Sequence, residues 1–177
     1  MRSRWMAAAL IAAASSVAAA QVTRGEIDGV MNYARLDTSI ACDGVIRPEA
    51  VVEIKRLGFK SIVNLRTANE PGANLEREAS AARDAGIAYY NIPFDLKSPS
   101  PTLVDDFLET VAKPANMPAF IHCGSGRRSS ALWMIKRVLV DGWDEPRAAA
   151  EAAQLGLTES PEKAFAVEYL RTHLRAK

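Results

Sequence analysis

One short stretch of the chain, FIHCGSGRRSSALWMI over residues 120–135, combines residue types that can perform nucleophilic chemistry. Cys123 stands where an apolar, strand-like run gives way to a helix-like run. A tight turn at this place would aim its backbone N–H groups, and those of the first helical turn, at one point and so form an anion cradle. A thiol at the rim of such a cradle, near Arg128, is favoured as the thiolate, which is its nucleophilic form. The stretch therefore predicts a cysteine that attacks a bound anion.

The residues that follow Cys123 fit the same chemistry. Gly124 and Gly126 allow backbone angles, and a close approach of an anion, that a Cβ atom would obstruct. Arg128 carries a planar fork of N–H donors that suits two oxygens of one anion. An ordinary loop with a buried structural cysteine is the alternative, but adjacent arginines at a helix N-terminus are electrostatically unfavourable without an anion. The pattern therefore favours an anion site.

His122 directly precedes the cysteine, but its position does not suit a cysteine–histidine dyad. Neighbouring residues on a strand point to opposite faces, so the ring and the sulfur diverge. We therefore predict that His122 faces the interior and supports the base of the loop through a hydrogen bond.

Strand-like and helix-like segments alternate through the middle of the chain, which predicts an α/β fold with a mainly parallel central sheet flanked by helices. Apolar spacing, prolines and glycines set the expected boundaries. The predicted helices are residues 48–57, 74–85, 103–111, 129–140, 145–155 and 160–175, and the predicted strands are 60–65, 88–94 and 119–122, with weaker strands near 33–36 and 39–41.

Three polar residues directly follow predicted strands. Arg66, Asp95 and Cys123 occupy these positions. Ligands of open α/β sheets bind outside the carboxyl ends of the strands, so we expect the three side chains to share one edge of the sheet.

The stretch HCGSGRRSS resembles the signature loop H-C-x-x-G-x-x-R-[ST] of cysteine-dependent protein tyrosine phosphatases. Residues 44–139 are similar to the compact dual-specificity branch of these enzymes. The segments GFKSIVNLR, YYNIPFD and HCGSGRRSSALW resemble the bacterial beta-lactamase-hydrolase-like phosphatase family more closely still. The resemblance implies a protein tyrosine phosphatase-like fold and a phosphoric monoester hydrolase.

The resemblance also implies roles for individual residues. Cys123 would attack phosphorus and form a thiophosphoryl intermediate, while Arg128 and the backbone amides of the loop hold the equatorial oxygens. Asp95, twenty-eight residues before the cysteine, would be the general acid. Its alternative role is to cap the loop ahead of Pro99. The substrate-binding amides belong to Gly124, Ser125, Gly126 and Arg127.

Two further residues receive less specific roles from the resemblance. Ser129 would donate a hydrogen bond to the cysteine sulfur and ease its departure, and capping of the helix is equally compatible with its position. Arg66 would steer an anionic substrate, although an exposed arginine at a strand end is an equally good interpretation. No cofactor or metal ion is implied, and with two histidines and two cysteines the chain lacks the close Cys/His pairs of zinc sites.

The loop departs from the phosphatase signature in one respect. Five residues separate the cysteine and the arginine in the signature, whereas four separate Cys123 from Arg128. This length also resembles the C-x-x-G-x-R loop of rhodanese-type sulfurtransferases, in which the cysteine carries a persulfide. Asp95 has a role in phosphate ester cleavage and no obvious one in sulfur transfer, which favours a phosphatase. A non-catalytic anion-binding module is the third interpretation.

The N-terminus predicts export. Arg2 and Arg4 precede an apolar, alanine-rich run that ends in three alanines before Gln21, as in a secretory signal peptide. The run is short and weakly apolar for a membrane-spanning helix. We therefore predict a signal peptide over residues 1–20, a single phosphatase-like domain over 21–177, and a periplasmic protein without stable membrane insertion.

Charge and cysteine content narrow the expected partners. The chain has 22 basic and 21 acidic residues, and loss of Arg2 and Arg4 leaves 20 basic ones, so the mature net charge is near −1. This balance gives no reason to expect nucleic acid as a partner, and leaves local recognition of an anionic substrate, such as a phosphate ester or a phosphoprotein.

Oxidation during export would allow Cys42 to pair with Cys123 if the two lie close enough. The sequence does not determine the oligomeric state.

Overall fold

The computed structural model describes residues 21–174, so the predicted signal peptide and the last three residues lie outside the described part of the chain. Strands and helices alternate from residue 40 to residue 139, as predicted, and two further helices follow. Within the described residues the strands are β1 (Val22–Arg24), β2 (Ala34–Leu36), β3 (Ile40–Asp43), β4 (Ser61–Asn64), β5 (Ala88–Asn91) and β6 (Ala119–His122), and the α-helices are α1 (Val51–Arg56), α2 (Leu75–Ala85), α3 (Leu103–Ala112), α4 (Arg127–Leu139), α5 (Glu145–Gln154) and α6 (Pro161–Leu174).

The six strands form one sheet in the order β1-β2-β3-β6-β4-β5. The four strands β3, β6, β4 and β5 are parallel, and the first two strands add an antiparallel edge. The predicted mainly parallel α/β sheet is therefore confirmed. The sequence analysis missed β1, because three residues with mostly exposed side chains carry no apolar alternation.

Two apolar cores cover the faces of the sheet. One face packs against α1 and α2 through residues such as Ile54, Phe59 and Phe120. The other face packs against the remaining helices and includes Phe107 and Trp133. Because both faces are covered, β3, β4 and β6 are buried along their whole length, which explains why apolar residues occupy consecutive positions in them instead of alternating with exposed polar ones.

Helix α4 begins two residues earlier than its sequence predicts. Gly126 takes the N-cap position with φ of +94°, and the helix starts at Arg127 rather than Ser129. Ser129 is therefore inside the first turn and does not cap the helix, which corrects one of its two expected roles. The earlier start places Arg128 as the second helical residue, directly above the loop.

A row of polar side chains crosses the carboxyl ends of the parallel strands. Asp43 pairs with His122, His122 with Asn64, and Asn64 with Asn91, so all four point to the face that carries α1 and α2. Three of them are fully buried. The parallel register thus places hydrogen-bonding groups directly beneath the segment that follows β6.

Within residues 21–174 no helix is long and apolar enough to cross a membrane.

Helix α4 is fixed to α5 by a buried ionic cluster. Glu151 accepts hydrogen bonds from Trp133 Nε1 at 2.9 Å and from Arg137 Nε at 2.7 Å and Nη2 at 3.1 Å. The same Arg137 guanidinium lies over the rings of Trp133 and Trp143. Since α4 carries Arg128 at its other end, this cluster sets the height of the helix above the sheet.

Replacing Glu151 by Ala should lower the free energy of unfolding by about 3 kcal/mol, because a buried Trp N–H and a guanidinium lose their acceptor. Urea unfolding followed by tryptophan fluorescence measures the change. Glu49→Ala is the matched control, since its pair with Arg77 is exposed and should contribute little. Equal losses in both variants would contradict the assigned role of Glu151.

Candidate active site

The loop of residues 123–126, called here the cysteine loop, connects β6 to α4. Its nucleophile candidate, Cys123, is only 1% exposed, and the backbone N–H of Gly126 donates to Cys123 Sγ at 3.1 Å. The sulfur therefore lies at the N-terminal end of α4, where helix dipole and amide both favour negative charge.

The segment after β3 fixes the cysteine loop from one side. The Cys123 N–H donates to the Asp43 carbonyl at 3.1 Å, Ser125 forms an isolated bridge with Gly44, and Asn32 Nδ2 donates to the Ser125 carbonyl at 3.3 Å. Burial raises the pKa of the Asp43 carboxyl group well above its ordinary value. This shift favours the uncharged acid, which does not repel a thiolate above it.

Arg128 reaches across the carboxyl edge of the sheet. Its Nη1 donates to the carbonyls of Leu65 at 3.1 Å and Phe94 at 2.9 Å, which follow β4 and β5. Nη1 and Nη2 each donate to one carboxylate oxygen of Glu70 at 2.7 Å. Burial would lower the pKa of Arg128, but the Glu70 carboxylate and the Cys123 sulfur raise it above its ordinary value. Arg128 is therefore a permanent cation beside the sulfur.

Glu70 is a site residue that the sequence analysis missed. Its Oε1 accepts the N–H of Thr67 at 2.8 Å, and its Oε2 lies 3.3 Å from Arg66 Nε. Burial alone would raise the pKa of Glu70, but the hydrogen bonds from Arg128 and Thr67 lower it from 4.5 to about 2. Glu70 therefore stays ionised at neutral pH and cannot donate a proton.

Arg66 does not lie at the surface as an exposed strand-end residue. It is 2% exposed, and its guanidinium donates to the carbonyls of Pro71 at 2.6 Å and Gly72 at 3.2 Å. Its donors are thus committed to the loop that carries Glu70. Direct steering of a substrate by Arg66 has no geometric support, because the fork faces its own chain.

Asp95 lies at the rim of a cleft of about 520 Å³ above the cysteine loop. Its side chain is exposed, and its Oδ1 accepts the N–H of Lys97 at 2.9 Å, which is the loop-capping arrangement considered as an alternative. The cleft also takes in Gly124, Ser125, Arg127, Arg128, Glu70 and Glu162. A larger cleft of about 600 Å³, lined by residues 24–30, 32 and 33, contains neither cysteine nor histidine.

The remaining predicted residues divide between the cleft and the interior. Arg127 is half-exposed with its Nε 3.6 Å from Glu162 Oε2, so it stands at the cleft wall. Ser129 is buried and its hydroxyl has no hydrogen-bond partner among the described residues, so the expected bond to the sulfur is not formed. His122 faces the interior as predicted, but the expected hydrogen bond is not formed, since Nε2 lies 3.2 Å from Glu78 Oε2 without hydrogen-bond alignment and Nδ1 has no partner among the described residues.

Cys42 lies on the same sheet face and in the same core as Cys123, and both thiols are free. Burial raises the pKa of the Cys42 thiol well above its ordinary value, which disfavours its thiolate. The disulfide considered from the sequence is therefore absent from the structure. Within residues 21–174 no cluster of three or more His, Cys, Asp or Glu side chains is arranged to hold a metal ion.

Solved structures of phosphatases share this fold. TpbA of P. aeruginosa is 18% identical, with a TM-score of 0.65 over 89% of this chain and 92% of that one. The core catalytic domain of the S. cerevisiae PP-IP phosphatase SIW14, solved in complex with citrate, is 23% identical, with a TM-score of 0.62 over 78% of this chain and 85% of that one. The predicted protein tyrosine phosphatase-like fold is confirmed.

Sequence relatives agree with the fold. A beta-lactamase hydrolase-like protein of Xylella fastidiosa is 29% identical over 116 residues, which cover 63% of this chain, and the chain spans about a quarter (26%) of the length of that relative. The family model described as the phosphatase-like domain of beta-lactamase hydrolase-like protein matches residues 32–140, from just before β2 to the end of α4. The chain therefore belongs to this phosphatase-like domain family.

Proposed function

We propose that the chain is a cysteine-dependent phosphatase that hydrolyses phosphate monoesters through a thiophosphoryl-cysteine intermediate. The observation that carries the proposal is the hydrogen bond from the Gly126 amide to the Cys123 sulfur at the start of α4. It supports a sulfur that is held as a nucleophile, with Arg128 beside it to bind the oxygens of an anion.

The reaction has two balanced steps. In the first, the Cys123 thiolate attacks phosphorus, the P–O bond to the leaving group breaks, and the carboxyl group of Asp95 protonates the leaving oxygen. In the second, the Asp95 carboxylate takes a proton from water, whose oxygen attacks phosphorus and releases inorganic phosphate and the thiolate. Arg128 and the amides of the cysteine loop hold the phosphoryl oxygens in both steps.

An anionic substrate is supported by what similar structures contain. A cysteine-to-serine variant of TpbA was solved with phosphotyrosine, and SIW14 was solved with citrate. The cleft wall of the present chain offers Lys97 and Arg127 near the cysteine loop. We therefore propose a phosphate ester, including a phosphoprotein, as the substrate class.

Rhodanese-type sulfur transfer remains the second candidate, because four residues separate Cys123 from Arg128. A persulfide on Cys123 would accept hydrogen bonds from the same backbone amides. The two functions differ in their need for Asp95, since transfer of a sulfane sulfur requires no protonation of a leaving oxygen.

Cys123→Ser should abolish hydrolysis of an aryl phosphate, while Asp95→Ala should lower kcat by roughly a hundredfold for an alkyl phosphate and far less for an aryl phosphate with an acidic phenol. Steady-state kinetics on both substrates, alongside thiosulfate-to-cyanide transfer, measure this. Asp105→Ala, an exposed aspartate of α3, is the control. Sulfur transfer by the wild type that survives Asp95→Ala, without ester hydrolysis, would replace the phosphatase assignment by the second candidate.

Gly126→Ala should lose most of the activity. The φ of +94° strains any residue with a Cβ atom by about 1–2 kcal/mol, and relief of this strain moves the amide that bonds the sulfur. Gly142→Ala is the control. It introduces the same kind of strain at a φ of +70°, the added Cβ atom meets open space, and the position is far from the cleft. Both variants should unfold at lower urea concentration, measured by fluorescence, but only Gly126→Ala should slow aryl phosphate hydrolysis. Full activity in Gly126→Ala would refute the role of this amide.

We propose further that the protein is exported, on the basis of the residues before Gln21. Mature protein recovered from the periplasm of an expressing bacterium should begin at Gln21, as determined by N-terminal sequencing. Recovery of the uncleaved chain from the cytoplasm would reject the proposal.

A further inference from the structure

The carboxylate of Glu70 lies between two guanidinium groups. Arg128 donates to both of its oxygens at 2.7 Å, and Arg66 Nε lies 3.3 Å from Oε2. Glu70 also lies beside the cysteine loop, since a Cβ atom on Gly124 would lie 3.8 Å from Glu70 Oε2. An anion in this place must either assist the binding of a substrate anion or compete with it.

Counting the donors of Arg128 decides between these roles. A guanidinium has five N–H groups. The two on Nη1 are directed to Glu70 and to the carbonyls of Leu65 and Phe94, and one on Nη2 is directed to Glu70. Among the described residues no oxygen accepts from Nε or from the second Nη2 hydrogen. These two N–H groups form one edge of the guanidinium, and such an edge suits two oxygens of a phosphoryl group.

The edge of Arg128 from which no oxygen of the described residues accepts lies on the side of the cysteine loop. Nη2 is 3.5 Å from the position that a Cβ atom on Gly124 would take, and the Cys123 sulfur is close enough to raise the pKa of Arg128. Glu70 therefore binds the edge of the guanidinium formed by Nη1 and Nη2. The edge formed by Nε and Nη2 remains for a ligand on the sulfur.

Glu70 is itself held by buried groups. Arg66 fixes the loop that carries it through the Pro71 and Gly72 carbonyls, and the Arg66 N–H donates to Asn64 Oδ1 at 2.8 Å. Asn64 Nδ2 in turn donates to Glu78 Oε2 at 2.6 Å, and Glu78 contacts His122, the residue before the nucleophile. A continuous series of polar contacts thus joins the base of the cysteine loop to the arginine above it.

We propose that Glu70 is a positioning residue, which turns the Nε–Nη2 edge of Arg128 toward the oxygens of an anion bound at Cys123. The proposal rests on the phosphatase function proposed above and extends it. With four residues between the cysteine and the arginine, the guanidinium is oriented by the loop after β4 and not by the cysteine loop alone. Glu70 remains a carboxylate throughout the pH range of an assay, so its hold on Arg128 is constant.

Glu70→Gln tests the proposal, because the amide keeps the shape of the side chain but turns an N–H₂ group toward one of the two Nη donors. We expect kcat/KM for an aryl phosphate to fall ten- to a hundredfold, and the Kd for tungstate, measured by calorimetry, to rise at least tenfold. Glu70→Asp, which keeps the charge on a shorter side chain, should recover part of both losses. Glu53→Gln is the control, since Glu53 forms the same two-oxygen pair with Arg56 on the exposed side of α1.

A double variant separates positioning from mere support of the fold. In an Arg128→Lys background the fork is absent, so Glu70→Gln should change the tungstate Kd less than twofold. The same large loss in both backgrounds would assign Glu70 to the fold and overturn the proposal. Thermal unfolding of each variant shows whether it is folded under the assay conditions. If Glu70→Gln is unstable, the partial recovery expected of Glu70→Asp still tests the proposal.

The outcomes distinguish the two proposals. If the wild type hydrolyses esters and Glu70→Gln is equally active, the positioning role is rejected; if Glu70→Gln is more active, Glu70 is a competing anion. Either result leaves the phosphatase function intact. Tungstate binding that depends on Glu70, without any ester hydrolysis by the wild type, would reject the phosphatase function and retain the positioning role. A wild type that neither binds tungstate nor hydrolyses esters would reject both.

Discussion

The chemistry proposed for this protein depends on a single hydrogen bond, from the Gly126 N–H to the Cys123 sulfur. The bond exists because Gly126 adopts a positive φ, which turns its amide back into the loop and starts α4 at the next residue. A sulfur in this place experiences the N-terminal end of a helix and a nearby guanidinium, and both lower the cost of a negative charge. The surrounding fold serves mainly to keep that geometry from relaxing.

The sheet provides the necessary rigidity. The cysteine loop leaves from β6, between β3 and β4, and is bonded to the β3 end through the Asp43 carbonyl. On the opposite side, α4 is held by the buried Glu151 cluster and by the apolar core beneath it. Because both ends of the loop belong to buried elements, the loop cannot shift without disturbing the core.

Both an ion pair and the burial of an acidic group limit the net charge around the Cys123 sulfur. Arg128 is matched by Glu70, so the cleft does not carry an unpaired buried cation when no substrate is bound. Beneath the loop, burial favours the neutral form of Asp43, and His122 faces Glu78 across the polar row of the sheet. The cleft at the surface contains charges of both signs, including Lys97 and Glu162, which is consistent with recognition by local geometry rather than by a large basic field.

The sequence by itself determined the strand, loop and helix around Cys123, and most helices and strands after residue 47, because these features are encoded in short-range periodicity, glycines and prolines. Only the tertiary structure decided that Glu70 faces Arg128, fifty-eight residues away, that Arg66 turns into its own loop, and that Cys42 lies buried and unpaired. Such contacts depend on the order of strands in the sheet and on which loops meet at its edge. A local pattern specifies the axis and the faces of its own segment, but it contains no information about the partner across that edge.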